Sequence, residues 1–213
     1  NGSSWENMTG TGTSEWLKGI WGSSATDVFA VGQGGSILHY DGRSWSSMIS
    51  GTSNALNGIW GSSGSNVFAV GWNGTILHYD GGSWSPMTSG TSDYLSGIWG
   101  SSATDVFAVG GSGTILHFDG SSWSPMTSGT SNAFNGVWGI SGRNVFAVGV
   151  SGAIIRYNGS SWSPMTSGAS NVLRGIWGNS GGDVYVVGDY GTILYFEVLS
   201  NHVQWMYMLL LNE

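Results

Sequence analysis

The 213-residue chain has a net charge of −7, and only 8% of its residues are charged, five of them basic. So few bases leave no patch that could neutralise phosphates, which excludes nucleic acid as an expected partner. The chain has no cysteine, which excludes disulfides and cysteine-based catalysis or metal binding. It contains no apolar run of about 18 or more residues, so the sequence predicts no membrane span.

A 39-residue pattern dominates the sequence, starting at residue 19 and restarting at residues 58, 97, 136 and 175. Residues 1–18 resemble only the last part of a repeat. A uniform period of this length predicts one body built from equal units. We therefore predict a single domain over residues 1–197, followed by an atypical apolar tail at 198–213.

Each repeat contains four short strand signals, which read LxGIWG, DVFAVG, TILHY and SWSPM with small variations. Glycine, serine, asparagine and aspartate separate them, as expected for turns. Residues 67–70 and 76–79 are apolar at consecutive positions, which predicts burial on both faces of a sheet. Four-stranded antiparallel sheets that pack between two neighbours are the blades of a β-propeller, an all-β fold.

The prolines predict which strand lies outermost. Pro86, Pro125 and Pro164 occupy the same position of the fourth strand signal. Because proline lacks a backbone N–H, it is tolerated at the edge of a sheet. The fourth strand is therefore predicted at the rim, and the first strand, with Trp60 and its equivalents flanked by glycines, near the axis.

The count of strands predicts how the molecule closes. The chain begins with a fourth-strand signal at Trp5, and its last repeat has no recognisable one after Phe196. Pairing the N-terminal strand with the last blade would give a closed five-bladed propeller without a free edge. The tail at 198–213 is predicted to be a rival outer strand, a short helix or a contact between molecules, with self-association through residues 203–212.

The unit GIWGSSxxDVFAVGxxGTILHYDGSSWSPM resembles highly repetitive bacterial β-propellers over residues 1–197. Its DGSSW segment, as at residues 119–123, is distantly similar to an Asp-box, with one residue fewer between Asp and Trp. Five blades also resemble the tachylectin-like lectins. The resemblance implies the propeller fold, and by analogy with the lectins it implies carbohydrate binding.

The sequence predicts no catalytic and no metal-binding residue. The G-x-S-x-G motif at residues 178–182 precedes a strand signal, whereas a nucleophile elbow precedes a helix. His39, His78 and His117 recur in the third strand, but on separate blades, so we expect hydrogen bonds between blades instead of a metal site. Asp80 and its equivalents are expected to cap the Asp-Gly turns. No cofactor is predicted.

Aromatic and polar residues that break the repeat predict a ligand-binding face. Loops that precede the first strand and loops that join the second and third strands emerge together in a propeller. Exposed aromatic rings beside amide or carboxylate groups can bind a peptide or a sugar. The predicted ligand-binding residues are Trp16, Trp72, Asn73, Tyr94, Asp189 and Tyr190.

These observations favour a non-catalytic scaffold that binds a protein or peptide in an extracellular or cell-surface setting. A multivalent lectin is the first alternative, because up to five weak sites would gain from avidity. The second alternative is a stretch of amplified repeats, or a piece cut from a longer array, without a selected ligand. A sialidase-type hydrolase is disfavoured because the sequence offers no convergent cluster of arginines.

Overall fold

The computed structural model describes residues 4, 5, 8 and 12–197. Each repeat folds into one antiparallel sheet whose strands follow chain order from the inside outwards. The first four sheets have four strands each, and the fifth has three. The strands are β1 (Leu17–Ser24), β2 (Asp27–Gly32), β3 (Ile37–Tyr40) and β4 (Trp45–Met48) in sheet 1; β5 (Leu56–Ser63), β6 (Asn66–Gly71), β7 (Ile76–Tyr79) and β8 (Trp84–Met87) in sheet 2; β9 (Leu95–Ser102), β10 (Asp105–Gly110), β11 (Ile115–Phe118) and β12 (Trp123–Pro125) in sheet 3; β13 (Phe134–Ser141), β14 (Asn144–Gly149), β15 (Ile154–Tyr157) and β16 (Trp162–Met165) in sheet 4; and β17 (Leu173–Gly178), β18 (Asp183–Gly188) and β19 (Ile193–Glu197) in sheet 5.

Short polar turns set the spacing of the strands. In the turn between β7 and β8, Asp80 Oδ1 accepts hydrogen bonds of 2.8 Å from the backbone N–H groups of Gly82 and Ser83. Gly81 has a φ of +95° there, a conformation that glycine adopts without strain. The predicted capping role of this aspartate is confirmed, and the turn fixes the register of Tyr79 opposite Trp84.

The hydrophobic core consists of layers between neighbouring sheets. The layer between sheets 1 and 2 combines Phe29, Val31 and Ile37 with Leu56 and Ile59, and every one of these side chains is buried. The same set recurs in the next layers, so an interior sheet is buried on both faces, as its continuous apolar strands predict.

The order of strands in each sheet agrees with the positions of the prolines. Strand β8, which contains Pro86, lies at the outer edge of sheet 2 and pairs only with β7. The first strands of consecutive sheets, β5 and β9 among them, contact one another on the inside. The molecule is therefore a repetitive, propeller-like array of five antiparallel sheets.

The predicted closure of the array is not formed by the part of the chain that the structure describes. There, β19 pairs only with β18, and Trp5 is fully exposed instead of lying beside β19. Met8 contacts the other end of the array, because its sulfur accepts a hydrogen bond of 3.4 Å from the indole nitrogen of Trp45 in sheet 1. Closure by the N-terminal strand stays a prediction.

The predicted tail at 198–213, including the proposed self-association segment 203–212, lies outside the described residues. Within the described residues, none of the helical segments is long and apolar enough to span a membrane.

Candidate functional site

Two sets of loops meet on one side of each sheet, because the backbone joins them. The residue that opens the 3-10 turn between the second and third strands donates its N–H to the carbonyl of the residue before the first strand. Trp72 donates to Ala55, and Gly111 donates to Tyr94, both at 2.9 Å. We term the surface that these turns and pre-strand segments share the loop face.

The turn on the loop face requires a left-handed residue at its second position. Asn73 has a φ of +52°, and the equivalent Tyr190 has a φ of +54°. Asparagine tolerates this conformation better than most residues, whereas tyrosine does so at some cost. The backbone of the turn is the same in every repeat, so the side chains carried on it can differ without changing the fold.

Trp72 and Tyr94 form an aromatic pair across the boundary between sheets 2 and 3. Their ring centroids are 6.0 Å apart and their planes are inclined by 33°. Trp72 is 52% exposed and Tyr94 is 37% exposed. A Cβ atom on Gly111 would lie 2.8 Å from Tyr94 Cε1, so the absence of a side chain at position 111 makes room for the tyrosine ring. We term Trp72 and Tyr94 the aromatic pair.

Polar side chains border the aromatic pair on both sides. On the side of sheet 2, Asn73 Nδ2 donates to Asn54 Oδ1 at 3.1 Å. On the side of sheet 3, the Asp93 carboxylate accepts hydrogen bonds from Ser112 at 3.1 Å and Thr114 at 2.8 Å. These hydrogen bonds hold amide and carboxylate groups beside two exposed rings, which is the combination that a peptide or a sugar can use.

The remaining predicted ligand-binding residues lie elsewhere on the loop face. Trp16, in sheet 1, is 74% exposed, and Tyr190, in sheet 5, is 94% exposed. The guanidinium of Arg174 donates two hydrogen bonds to the Asp189 carboxylate, one from Nε to Oδ1 and one of 2.9 Å from Nη2 to Oδ2. These hydrogen bonds lower the pKa of Asp189. The structure therefore brings Trp72, Asn73 and Tyr94 together, and leaves Trp16 in sheet 1 and the adjacent Asp189 and Tyr190 in sheet 5.

A groove next to Asn73 was not predicted from the sequence. It lies between the chain segments 50–52 and 86–92, has a volume of about 580 Å³, and is lined mainly by serine, threonine and glycine. An equivalent groove of about 570 Å³ lies beside sheet 1. The buried Ser89, whose hydroxyl donates to the carbonyl of Thr91 at 3.2 Å, shapes the wall. The repeated SGTS segment was the signal that could have revealed the groove.

The histidines of the third strands make contacts within their own sheets, which corrects the expected hydrogen bonds between blades. His39 Nε2 is 2.7 Å from Asp27 Oδ1, and the imidazole stacks on Phe29 with 4.4 Å between ring centroids. In sheet 2 the partner of His78 is Asn66, at 2.6 Å. The reason is the register, which places His39 directly opposite Phe29 and close to the start of β2.

The G-x-S-x-G motif at residues 178–182 lies between two strands. Ser180 lies in the turn between β17 and β18, so a strand follows the G-x-S-x-G motif, as predicted. Among the residues that the structure describes, no group of three histidine, cysteine or acidic side chains is arranged to hold a metal ion.

No protein-family model and no curated protein sequence matches the chain. Solved structures do match. YCF48 from Cyanidioschyzon merolae matches with a TM-score of 0.67 at 16% identity, over 89% of this chain and 69% of that one. A structure of YCF48 bound to D1 peptide matches with a TM-score of 0.66 at 15% identity, over 86% of this chain and 64% of that one.

The extracellular domain of BT3049 from B. thetaiotaomicron matches with a TM-score of 0.69 at 12% identity, over 87% of this chain and 29% of that one. This chain thus spans from under a third to about two thirds of the length of the chains it matches. At these identities the likeness shows the propeller-like fold, and the functions of the three proteins remain their own.

Proposed function

We propose that the protein is a non-catalytic scaffold that binds a peptide or a peptide segment of another protein on its loop face. The observation that carries the proposal is the exposed aromatic pair, Trp72 and Tyr94, whose rings lie 6.0 Å apart at the boundary between two sheets. Aromatic residues at the centre of an interface contribute a large share of binding energy.

The surroundings of the pair favour an extended peptide. The groove beside Asn73 offers the serine and threonine hydroxyls and backbone groups of residues 50–52 and 86–92 to a peptide backbone. The aromatic pair provides an apolar contact for a side chain of the peptide. Among the similar structures, one of YCF48 contains a bound peptide, which is in keeping with a peptide ligand for this fold.

A lectin is the second candidate, in line with the resemblance to tachylectin-like propellers. It rests on the same exposed rings and on the amide groups of Asn54 and Asn73. The five repeats differ at the aromatic positions, since Ala55 and Ala133 occupy the places of Trp16 and Tyr94. Five equal sugar sites are therefore less favoured than one peptide site.

The sequence-based prediction of closure belongs to this proposal. We propose that the missing fourth strand of sheet 5 is supplied by an N-terminal segment with Trp5 in the place of Trp162. The last sheet would then be completed in the same way as sheet 4, whether the segment comes from the same chain, as closure requires, or from a second copy.

The test uses a phage-displayed library of random peptides selected against the full chain. Selected peptides should bind the wild-type protein, and Trp72→Ala should weaken binding at least about tenfold, because it removes half of the aromatic pair. Since Trp72 is 52% exposed, the substitution should leave the circular dichroism spectrum and the melting temperature unchanged.

Trp16→Ala is the matched control, because Trp16 is an exposed tryptophan of the loop face in another sheet. It should leave peptide binding unchanged. A library that yields no binder, or binders that are insensitive to Trp72→Ala, would contradict the proposal. Retention of sugars on a glycan array, lost in Trp72→Ala, would favour the lectin instead.

A further inference from the structure

The two ends of the array expose surfaces that every interior boundary buries. Tyr185, Val187 and Ile193 of sheet 5 are 43%, 51% and 71% exposed. Their equivalents in sheet 1, Phe29, Val31 and Ile37, are at most 1% exposed because sheet 2 covers them. We term the uncovered side of sheet 5 the trailing face. A contiguous apolar surface of this kind marks an interaction site.

The first sheet presents the opposite surface, which we term the leading face. Ile20 is 69% exposed and Leu17 is 44% exposed there. The equivalent residues of sheet 2, Ile59 and Leu56, are 9% and 0% exposed because they pack against sheet 1. The leading face therefore exposes the residues that, in an interior sheet, pack against the preceding sheet.

The two faces complement each other through a repeated contact between tryptophan and glycine. The indole of each first strand packs against a glycine of the next sheet: a Cβ on Gly61 would lie 2.7 Å from Trp21, and a Cβ on Gly139 would lie 2.6 Å from Trp99. Trp177 of the trailing face is 60% exposed, and among the described residues no glycine of another sheet packs against its indole. Gly22 of the leading face has no indole among its nearest neighbours.

A second contact runs in the opposite direction. Ile59 packs against Gly19 of the preceding sheet, because a Cβ on Gly19 would lie 3.3 Å from Ile59 Cγ2. Ile98 packs against Gly58 in the same way. At the ends of the array, Ile20 projects from the leading face, while Gly175 of the trailing face meets only Val187 of its own sheet. Each face thus carries one projecting side chain and one vacant glycine that match the other face.

A cavity of about 250 Å³ lies between the outer parts of sheets 4 and 5 and is lined by Phe146, Met165 and Phe196 among others. In complete sheets the corresponding space holds the indole of a fourth strand. Trp162, for example, donates its indole N–H to the sulfur of Met126 at 3.4 Å. Among the described residues sheet 5 has no fourth strand to supply this indole, and Trp5 carries a fully exposed indole.

We propose that the trailing face of one molecule binds the leading face of a second copy of this chain, head to tail. Trp177 then packs against Gly22 of the second copy, and Ile20 of that copy packs against Gly175. The N-terminal segment of the second copy adds the fourth strand to sheet 5 and places Trp5 in the cavity beside Met165. Addition of a strand to an open sheet edge supplies backbone hydrogen bonds as well as apolar contacts.

A second copy is favoured over closure within one chain by the exposure of both end faces in the structure. Met8 lies against Trp45, which is the place that Met48 takes against Trp84 one repeat later. Met8 thus lies where the fourth strand of a sheet preceding sheet 1 belongs, which for a second copy is the place beside sheet 5 of the first copy. In the same structure Ile20 and Trp177 both stay exposed, so sheets 1 and 5 of one chain do not cover each other there. Such an interface is heterologous and lets further copies add at both ends.

The test blocks each face separately. Ile20→Asp places a charge on the leading face, and Trp177→Asp places one on the trailing face. The wild-type protein should form dimers and longer chains between about 1 and 100 μM in sedimentation and light-scattering measurements, whereas each variant alone should stay monomeric. An equimolar mixture of the two variants should form a dimer and stop there, because it contains one intact pair of faces.

Ile49→Asp is the matched control, since Ile49 is 89% exposed but lies on neither face, and this variant should associate like the wild type. A wild-type protein that stays monomeric at about 100 μM would overturn the proposal. A monomer is the result expected if residues 198–213, or sheet 1 of the same chain, cover the trailing face instead of a second copy. Failure of the mixed variants to dimerise would overturn it as well.

A cysteine pair tests the strand that joins the copies. Residue Ser46 lies opposite His39 in sheet 1, and the same register places residue 6 opposite Tyr195 in the proposed interface. Because the chain has no cysteine, a Glu6→Cys protein and a Tyr195→Cys protein of different tag mass should form a mixed disulfide. As a control, an Ile49→Cys protein should not form a mixed disulfide with the Tyr195→Cys protein. Cross-linking only within a chain that carries both substitutions would contradict the proposal.

Discussion

The indole of Trp60 packs against Gly100 of the next sheet so closely that a Cβ on Gly100 would lie 2.5 Å from Cη2 of the indole. Gly100→Ala should therefore force the indole or the strand to move and lower the free energy of unfolding by about 1–3 kcal/mol. Urea denaturation followed by tryptophan fluorescence measures the change.

Gly82→Ala is the control for this substitution, because a Cβ on Gly82 would meet only Asp80 Oδ1, at 3.5 Å. It should change the free energy of unfolding by less than about 0.5 kcal/mol. Equal midpoints for Gly100→Ala and the wild type would show that the contact between tryptophan and glycine does not determine stability.

The position of a sheet in the array should decide how much its central aromatic residue contributes to stability. Phe107 is completely buried between sheets 3 and 4, so Phe107→Ala should lower the free energy of unfolding by about 3–5 kcal/mol. The equivalent Tyr185 is 43% exposed on the trailing face. At a concentration where the protein is monomeric, Tyr185→Ala should have a clearly smaller effect, and equal losses would contradict the layered core.

His78 provides a prediction about protonation. Burial lowers the pKa of His78, and the nearby charge of Asp80 opposes that change only in part. Since the unfolded chain binds this proton more tightly, the stability that His78 contributes is complete above the ordinary histidine pKa of 6.5 and is lost as the pH falls through the folded-state pKa.

Asn66→Asp should raise the pKa of His78, because it replaces the amide whose Oδ1 lies 2.6 Å from His78 Nε2 with a negatively charged carboxylate. The imidazole proton shifts in an NMR titration measure it. Asn144→Asp makes the same change beside Arg156, far from His78, and should leave the titration of His78 where it is. An unchanged His78 in the Asn66→Asp protein would show that this contact does not control the proton.

Asp119 should titrate at unusually low pH. Hydrogen bonds from the Ser121 hydroxyl and from the backbone N–H groups of Ser122 and Ser121 lower the pKa of Asp119 to about 2. The contribution of this carboxylate to stability is present above its ordinary pKa of 3.8 and is lost as the pH falls through about 2. The carboxyl carbon shift of Asp119 gives the pKa directly.

Asp119→Asn keeps the acceptor oxygen that Asn158 supplies at the equivalent turn, but has no charge to lose. Between about pH 4 and pH 2 its melting temperature should fall less steeply than that of the wild type. Parallel curves would mean that the turn does not depend on the charge of Asp119.

The sequence predicted the strands well because each repeat carries its own local signals. Residues 67–70 and 76–79 lie in buried strands as their apolar runs predict, and Pro86 lies in an outer strand. These properties depend on residues close in sequence and on the fact that each interior sheet packs between two neighbours of nearly the same sequence. For that reason one repeat was enough to predict the other interior sheets.

The relation between the ends, and the composition of the candidate site, depend on contacts between distant positions. The sequence placed Trp16, Trp72 and Tyr94 on one face, but only the twist and spacing of the sheets determine that Trp72 reaches Tyr94 while Trp16 stays apart. The groove beside Asn73 is built largely from backbone and small side chains, which carry little pattern of their own.

The paired contacts of tryptophan with glycine and of isoleucine with glycine have a consequence for how such a chain changes over generations. Every repeat carries both halves of the contact between tryptophan and glycine, and four of the five carry the isoleucine, so an extra 39-residue unit inserted in frame finds a fitting neighbour before it and after it. Duplication or loss of a unit alters the length of the array without creating a mismatched boundary. Unequal recombination of the gene can therefore resize this protein in single steps that each yield a foldable product.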